Sequence, residues 1–130
     1  MSGYSPQAQA LLEQWNCISL NMRSVILRSR YLQKQAEQNG YRDRLDAVLR
    51  EKEVHAQYRQ IRHAMREVSG ADGVEKSFPE ATDFIGPEGV GRFVEFRISE
   101  TAIPELRERL DEVDYRIQKL LITLCTIHPE

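Results

Sequence analysis

Ala8, Leu11, Trp15, Ile18, Met22, Val25, Leu32 and Ala36 recur at alternating spacings of three and four, and only Ser29 interrupts them. Side chains at those spacings share one side of an α-helix. A series held for about four heptads is the pattern of helices packed in bundles or coiled coils. Ser5 is a good N-cap and Pro6 a good first helical residue, while Asn39-Gly40 supplies a C-cap and turn. A helix is therefore expected over residues 6–38, roughly 50 Å long at ~1.5 Å per residue. A second, unbroken series, Ile103, Leu106, Leu110, Val113, Ile117, Leu120, Leu124 and Ile127, predicts a helix over residues 103–127. Pro104 is tolerated in its first turn and Pro129 stops it.

Between them, residues 42–69 also read as a helix, ended by Gly70. Its pattern changes halfway. Tyr41, Leu45, Val48 and Leu49 gather on one side; Val54, Tyr58, Ile61, Met65 and Val68 gather on roughly the opposite side. One flat partner cannot bury both. Either the helix kinks near residues 52–55, or its two ends contact different elements. The second is favoured, because no Pro or Gly is present to cause a kink.

Residues 70–91 hold five of the seven glycines and two of the five prolines, so the helical pattern stops there. In "RFVEFRIS", Val94, Phe96 and Ile98 alternate with charged residues, which predicts a half-buried strand. "ATDFI" is its expected antiparallel mate across the turn "GPEGVG". The expected fold is mainly α, with three long helices in an antiparallel bundle or helical hairpin arrangement. A loop and small β-hairpin, over residues 70–99, is inserted between the second and third helices. At 130 residues the whole chain, 1–130, fits a single domain.

Helical projection also reveals spare apolar side chains. Leu20, Leu27 and Tyr31 lie about 140–180° from the first helix's heptad seam and form a stripe of their own. Tyr115 and Ile122, seven apart, do the same on the last helix. A monomeric three-helix bundle needs one inward stripe per helix. The spare ones can be covered by the β-ribbon, by a second copy of the chain, or by a different protein. A symmetric dimer is the commonest solution and is the one favoured.

Charge is divided unevenly. Residues 1–69 carry 11 basic against 7 acidic side chains, and residues 70–130 carry 7 against 13, for a net charge of −2. That total exerts no global pull toward nucleic acid or membrane. Arg23, Arg30 and Lys34 mark one flank of the first helix, and Arg59, Arg62 and Arg66 mark the second. They are possible contacts for nucleic acid or an acidic partner, but no helix-turn-helix spacing accompanies them. The acidic start of the last helix (Glu105, Glu108, Asp111, Glu112, Asp114) is a natural internal counterpart for them, and it complements that helix's N-terminal dipole.

Chemical motifs are sparse. His55 and His63 on the second helix belong to no HExxH or Glu-x-x-His arrangement, so no metal, cofactor or catalytic residue is assigned. "GPEGVG" lacks the GK[ST] ending of a phosphate loop. Cys17 and Cys125 are isolated, which fits a reducing cytoplasm. The chain's start has no signal-peptide pattern, and its apolar runs are too short to span a bilayer.

Residues 105–124, "ELRERLDEVDYRIQKLLITL", resemble the first helix of the chorismate mutase family of helical dimers, which opens Leu-Arg-x-x-Leu/Ile-Asp-x-Leu/Ile-Asp. The resemblance covers about 20 residues and would make Arg107 the candidate catalytic Arg. In that family the helix is N-terminal, and later helices supply further groups, including a Lys and a Glu; here only six residues follow Leu124. Heptad Leu/Ile with Arg, Asp and Glu between them also describes any amphipathic helix.

The functional expectation is a non-enzymatic, cytoplasmic protein-binding protein: an adaptor, chaperone, regulator or inhibitor acting as a helical homodimer. Its contact residues would be Leu20, Leu27, Tyr31, Tyr115 and Ile122. The alternatives are a nucleic-acid-associated regulator using the Arg-rich faces, and an enzyme with a site at a helical dimer interface.

Overall fold

A computed structural model describes residues 5–76 and 96–128. The chain is mainly α. Its helices are α1 (Pro6–Asn39), α2 (Arg42–Glu51), α3 (Val54–Ser69) and α4 (Ile103–Cys125). Two short strands, β1 (Val74–Lys76) and β2 (Phe96–Ile98), lie between α3 and α4, followed by a 3₁₀ turn at Glu100–Ala102.

Both ends of α1 follow from local chemistry. The Ser5 hydroxyl accepts the Ala8 N–H at 3.2 Å and satisfies one of the helix's free donors. At the other end Gly40 adopts φ 75°, and the Tyr41 N–H donates back to the Ala36 carbonyl at 3.0 Å, the bond that defines a Schellman cap. The heptad side chains of α1 and α4 are buried as their spacing predicts, with Trp15, Ile18, Leu120 and Leu124 at the centre of the core.

The two long helices run in parallel. Gln14 donates to Asp111 at 2.7 Å and Arg28 to the Leu124 carbonyl at 3.3 Å, so the register between α1 and α4 is kept over 14 residues of α1. Arg28 also donates to the Ile127 carbonyl at 2.7 Å, placing a cation on the free carbonyls that end α4. α3 lies against α4 in the opposite sense. Arg116 meets Gln60 at 3.2 Å, while Glu67 and Gly70 share a groove with Glu105 and Arg109.

The second expected helix is not continuous. It breaks at Lys52–Glu53, giving four helices where three are expected, with Glu53 at φ 54°. No Pro or Gly is responsible. A left-handed residue other than Gly costs roughly 1–2 kcal/mol. The break turns the chain so that Leu45 and Leu49 of α2, and Val54, Ile61, Met65 and Val68 of α3, are all buried. Each such side chain is worth about 1.5–3 kcal/mol, which outweighs the strain. The Gln57 side chain donates to the Lys52 carbonyl at 2.8 Å and satisfies one of the groups the break exposes.

The β-hairpin is also not seen as expected. "ATDFI" and "GPEGVG" fall outside the described residues. Phe96–Ile98 pairs with Val74–Lys76, with Val74 opposite Ile98 and Lys76 opposite Phe96. Gly73, at φ 83°, makes this approach possible, since a Cβ there would lie 2.9 Å from the Ala102 Cβ. The Ser99 N–H donates to the Gly73 carbonyl at 2.7 Å and extends the ladder. The short ladder ties the end of α3 to the start of α4.

Candidate interaction surfaces

All five spare apolar side chains face outward. Leu20, Leu27 and Tyr31 on α1 are 42 %, 47 % and 45 % exposed, and Tyr115 and Ile122 on α4 are 64 % and 65 % exposed. They are the large apolar residues left exposed among the described residues, against a core in which every buried heptad residue is under a tenth exposed. Both stripes lie on the side of their helix opposite its buried seam. The described β-strands cover neither of them.

The far end of the α1 stripe is held in place. The Arg28 guanidinium sits 5.3 Å from the centre of the Tyr31 ring while its nitrogens engage the last carbonyls of α4. One side chain thus joins the stripe, α1 and the end of α4. Sequence patterning gives no sign of this, because its partners lie 96 and 99 residues away. The three-residue step from Arg28 to Tyr31 was the only local hint.

Arg23, Arg30, Lys34, Arg59 and Arg66 are exposed, and Arg62 is half-buried with its guanidinium 5.7 Å from the Tyr58 ring centre. The Arg62 Nε is buried without a hydrogen-bond partner. Ile26, Ser29 and Arg30 of α1 and Val54, His55 and Tyr58 of α3 line one cavity, so the Arg30 flank of α1 faces the Tyr58 flank of α3. Helical projection puts Arg23 and Lys34 on that same flank of α1, and Arg59, Arg62 and Arg66 on the matching flank of α3. All six therefore border the α1–α3 seam.

The acidic start of α4 is not their counterpart. Glu105 pairs with Arg109 and Glu112 with Arg116, each at 2.8 Å and four residues apart on α4. Asp111 instead accepts from Gln14. The ion pairs among the described residues are these two and the His63–Glu67 contact at 3.2 Å, and none uses the six basic side chains. Helix-local pairing wins because (i, i+4) neighbours are already in reach and need no tertiary alignment.

The cavity itself measures 220 Å³ and is completed by Val25, Gln33 and Leu49. It opens where Ser29 interrupts the α1 series and where α2 gives way to α3. Both irregularities are visible in the sequence, but their meeting point is not.

Among the described residues no group of three His, Cys, Asp or Glu is placed to hold a metal ion. Cys17 and Cys125 are exposed free thiols. No described helix is long and apolar enough to cross a membrane. No family model, curated protein or solved structure matches the chain.

Proposed function

We propose that this chain is a non-enzymatic protein-binding module that acts as a homodimer, its two outer stripes meeting different partners. The supporting observation is the exposure of Leu20, Leu27, Tyr31, Tyr115 and Ile122 on helices whose inner faces are already fully used. Exposed apolar stripes with polar margins are the usual anatomy of contact surfaces.

Charge separates the two stripes. On α4, the acidic residues that flank Tyr115 and Ile122 include Glu112, which is paired within the helix. That face carries both signs, Asp111 and Glu112 beside Arg116 and Lys119, where the Arg23–Arg30–Lys34 flank of α1 carries one, so the α4 stripe suits the twin chain. On α1, an antiparallel self-contact centred on Leu27 would bring Arg23 toward the twin's basic flank around Arg30. That repulsion disfavours self-pairing and favours an acidic amphipathic segment of another protein. Its apolar residues would rest on Leu20, Leu27 and Tyr31, and its carboxylates on Arg23, Arg30 and Lys34.

Binding of a designed acidic amphipathic helical peptide, compared with its Lys-substituted counterpart and with duplex DNA, tests this reading. The expected result is that the acidic peptide binds, weakening as salt rises, and that Leu27→Glu with Tyr31→Glu abolishes it. If DNA binds instead, with loss on replacing Arg59, Arg62 and Arg66 by Ala, the basic seam belongs to a nucleic-acid-associated regulator. Absence of binding by all three ligands contradicts both readings.

A further inference from the structure

We infer that the 220 Å³ cavity between α1 and the α2–α3 junction is a binding site for a small carboxylate with an apolar body, an aromatic or short acyl acid. Two departures from regular packing meet there. Ser29 stands at the one interruption of the α1 heptad series, between buried Val25 and buried Leu32. A branched apolar side chain at that position would fill the space. Opposite it, the break at Lys52–Glu53, with Glu53 in the left-handed region, turns Leu49 and Val54 onto one wall. Rules of regular packing that fail together at one place mark a functional site better than either failure alone.

The lining sets the ligand class. Val25, Ile26, Leu49 and Val54 give an apolar floor, and Arg30 and His55 stand at the rim. An apolar cavity of about 150 Å³ admits benzene, so a volume of 220 Å³ accommodates a ring with a short substituent. Arg30 is in none of the ion pairs among the described residues. Its planar guanidinium matches a carboxylate in two parallel hydrogen bonds. A neutral apolar molecule would use the floor and leave that cation without a partner; a fully polar anion would leave the floor wet. An acid with an apolar body uses both.

Amide correlation spectra of the full chain, titrated with benzoate and with benzyl alcohol, test the site. Benzoate is expected to shift the resonances of Val25, Ser29 and Val54, with benzyl alcohol about tenfold weaker, the ratio one charge-assisted contact supplies. Arg30→Gln should erase the preference for the acid and leave the alcohol's binding unchanged. Ser29→Leu should close the cavity, removing both ligands and raising the melting temperature. Should that variant fold poorly, Arg30→Gln decides alone. The inference is overturned if benzoate leaves these resonances unmoved at millimolar concentration, if acid and alcohol bind equally, if Arg30→Gln keeps the preference, or if the shifts centre elsewhere in the chain. None of these outcomes depends on whether the outer stripes bind protein.

Discussion

The outer faces of α1 and α4 look alike in apolar pattern and differ in what their charges do. Each carries large apolar side chains seven residues apart, Leu20 and Leu27 on one, Tyr115 and Ile122 on the other, all exposed. On α4 the flanking charges are of both signs, and Glu112 is paired with Arg116 one turn away while Asp111 accepts from Gln14. On α1 the neighbouring cations stay out of every described ion pair. A face of mixed, partly paired charge brings little electrostatic preference to a contact. A face with free charge selects its partner by sign and recruits it faster. Equal apolar stripes can therefore serve unlike partners, and the flanking charges decide which.

This contrast is breakable in steps of decreasing size. Leu27→Glu with Tyr31→Glu should weaken an acidic helical ligand by at least about a hundredfold in a calorimetric titration, since each lost burial is worth roughly 1.5–3 kcal/mol. A smaller effect is expected from Arg28→Gln. It frees the Leu124 and Ile127 carbonyls and loosens Tyr31, so the thermal unfolding midpoint should fall by about 3–5 °C, the shift of a loss near 1 kcal/mol. An unchanged midpoint would remove Arg28 as the tie between α1 and α4. Glu53→Gly tests the strain at the helix break. It should stabilise the fold slightly, by about 0.5–1 kcal/mol in a denaturant titration, because Gly adopts positive φ freely. Smallest of all, Glu112→Gln should change stability by less than about 0.5 kcal/mol, as exposed (i, i+4) pairs do. A large loss there would show that the α4 charges are bound into tertiary structure.

The sequence disclosed those parts of the fold that depend on neighbours. The heptad seams, the Ser5 cap and the Gly40 turn involve contacts a few residues apart, and each is where its local pattern puts it. The outward stripes were legible for the same reason, since a helix wheel fixes which residues share a side. The break at Glu53 was half legible. The jump in phase between Leu49 and Val54 showed that one face could not bury both, but Glu53 has no side-chain signature of a left-handed residue. The strand Phe96–Ile98 alternates as a strand should and pairs with Val74–Lys76, a partner that alternation alone does not name; the expected mate "ATDFI" lies outside the described residues. Arg28 and the Ser29 cavity were illegible, because both depend on segments far apart in the chain being brought together.

The most direct test is molar mass by light scattering, measured across concentration for the wild-type chain and two double variants. The account predicts a wild type that approaches twice 15.1 kDa as concentration rises. Leu27→Glu with Tyr31→Glu should keep that dimer, while Tyr115→Glu with Ile122→Glu should hold the mass at 15.1 kDa. A wild type that stays monomeric throughout, or a dimer lost through the α1 variant and kept by the α4 variant, would contradict the division of labour between the two faces.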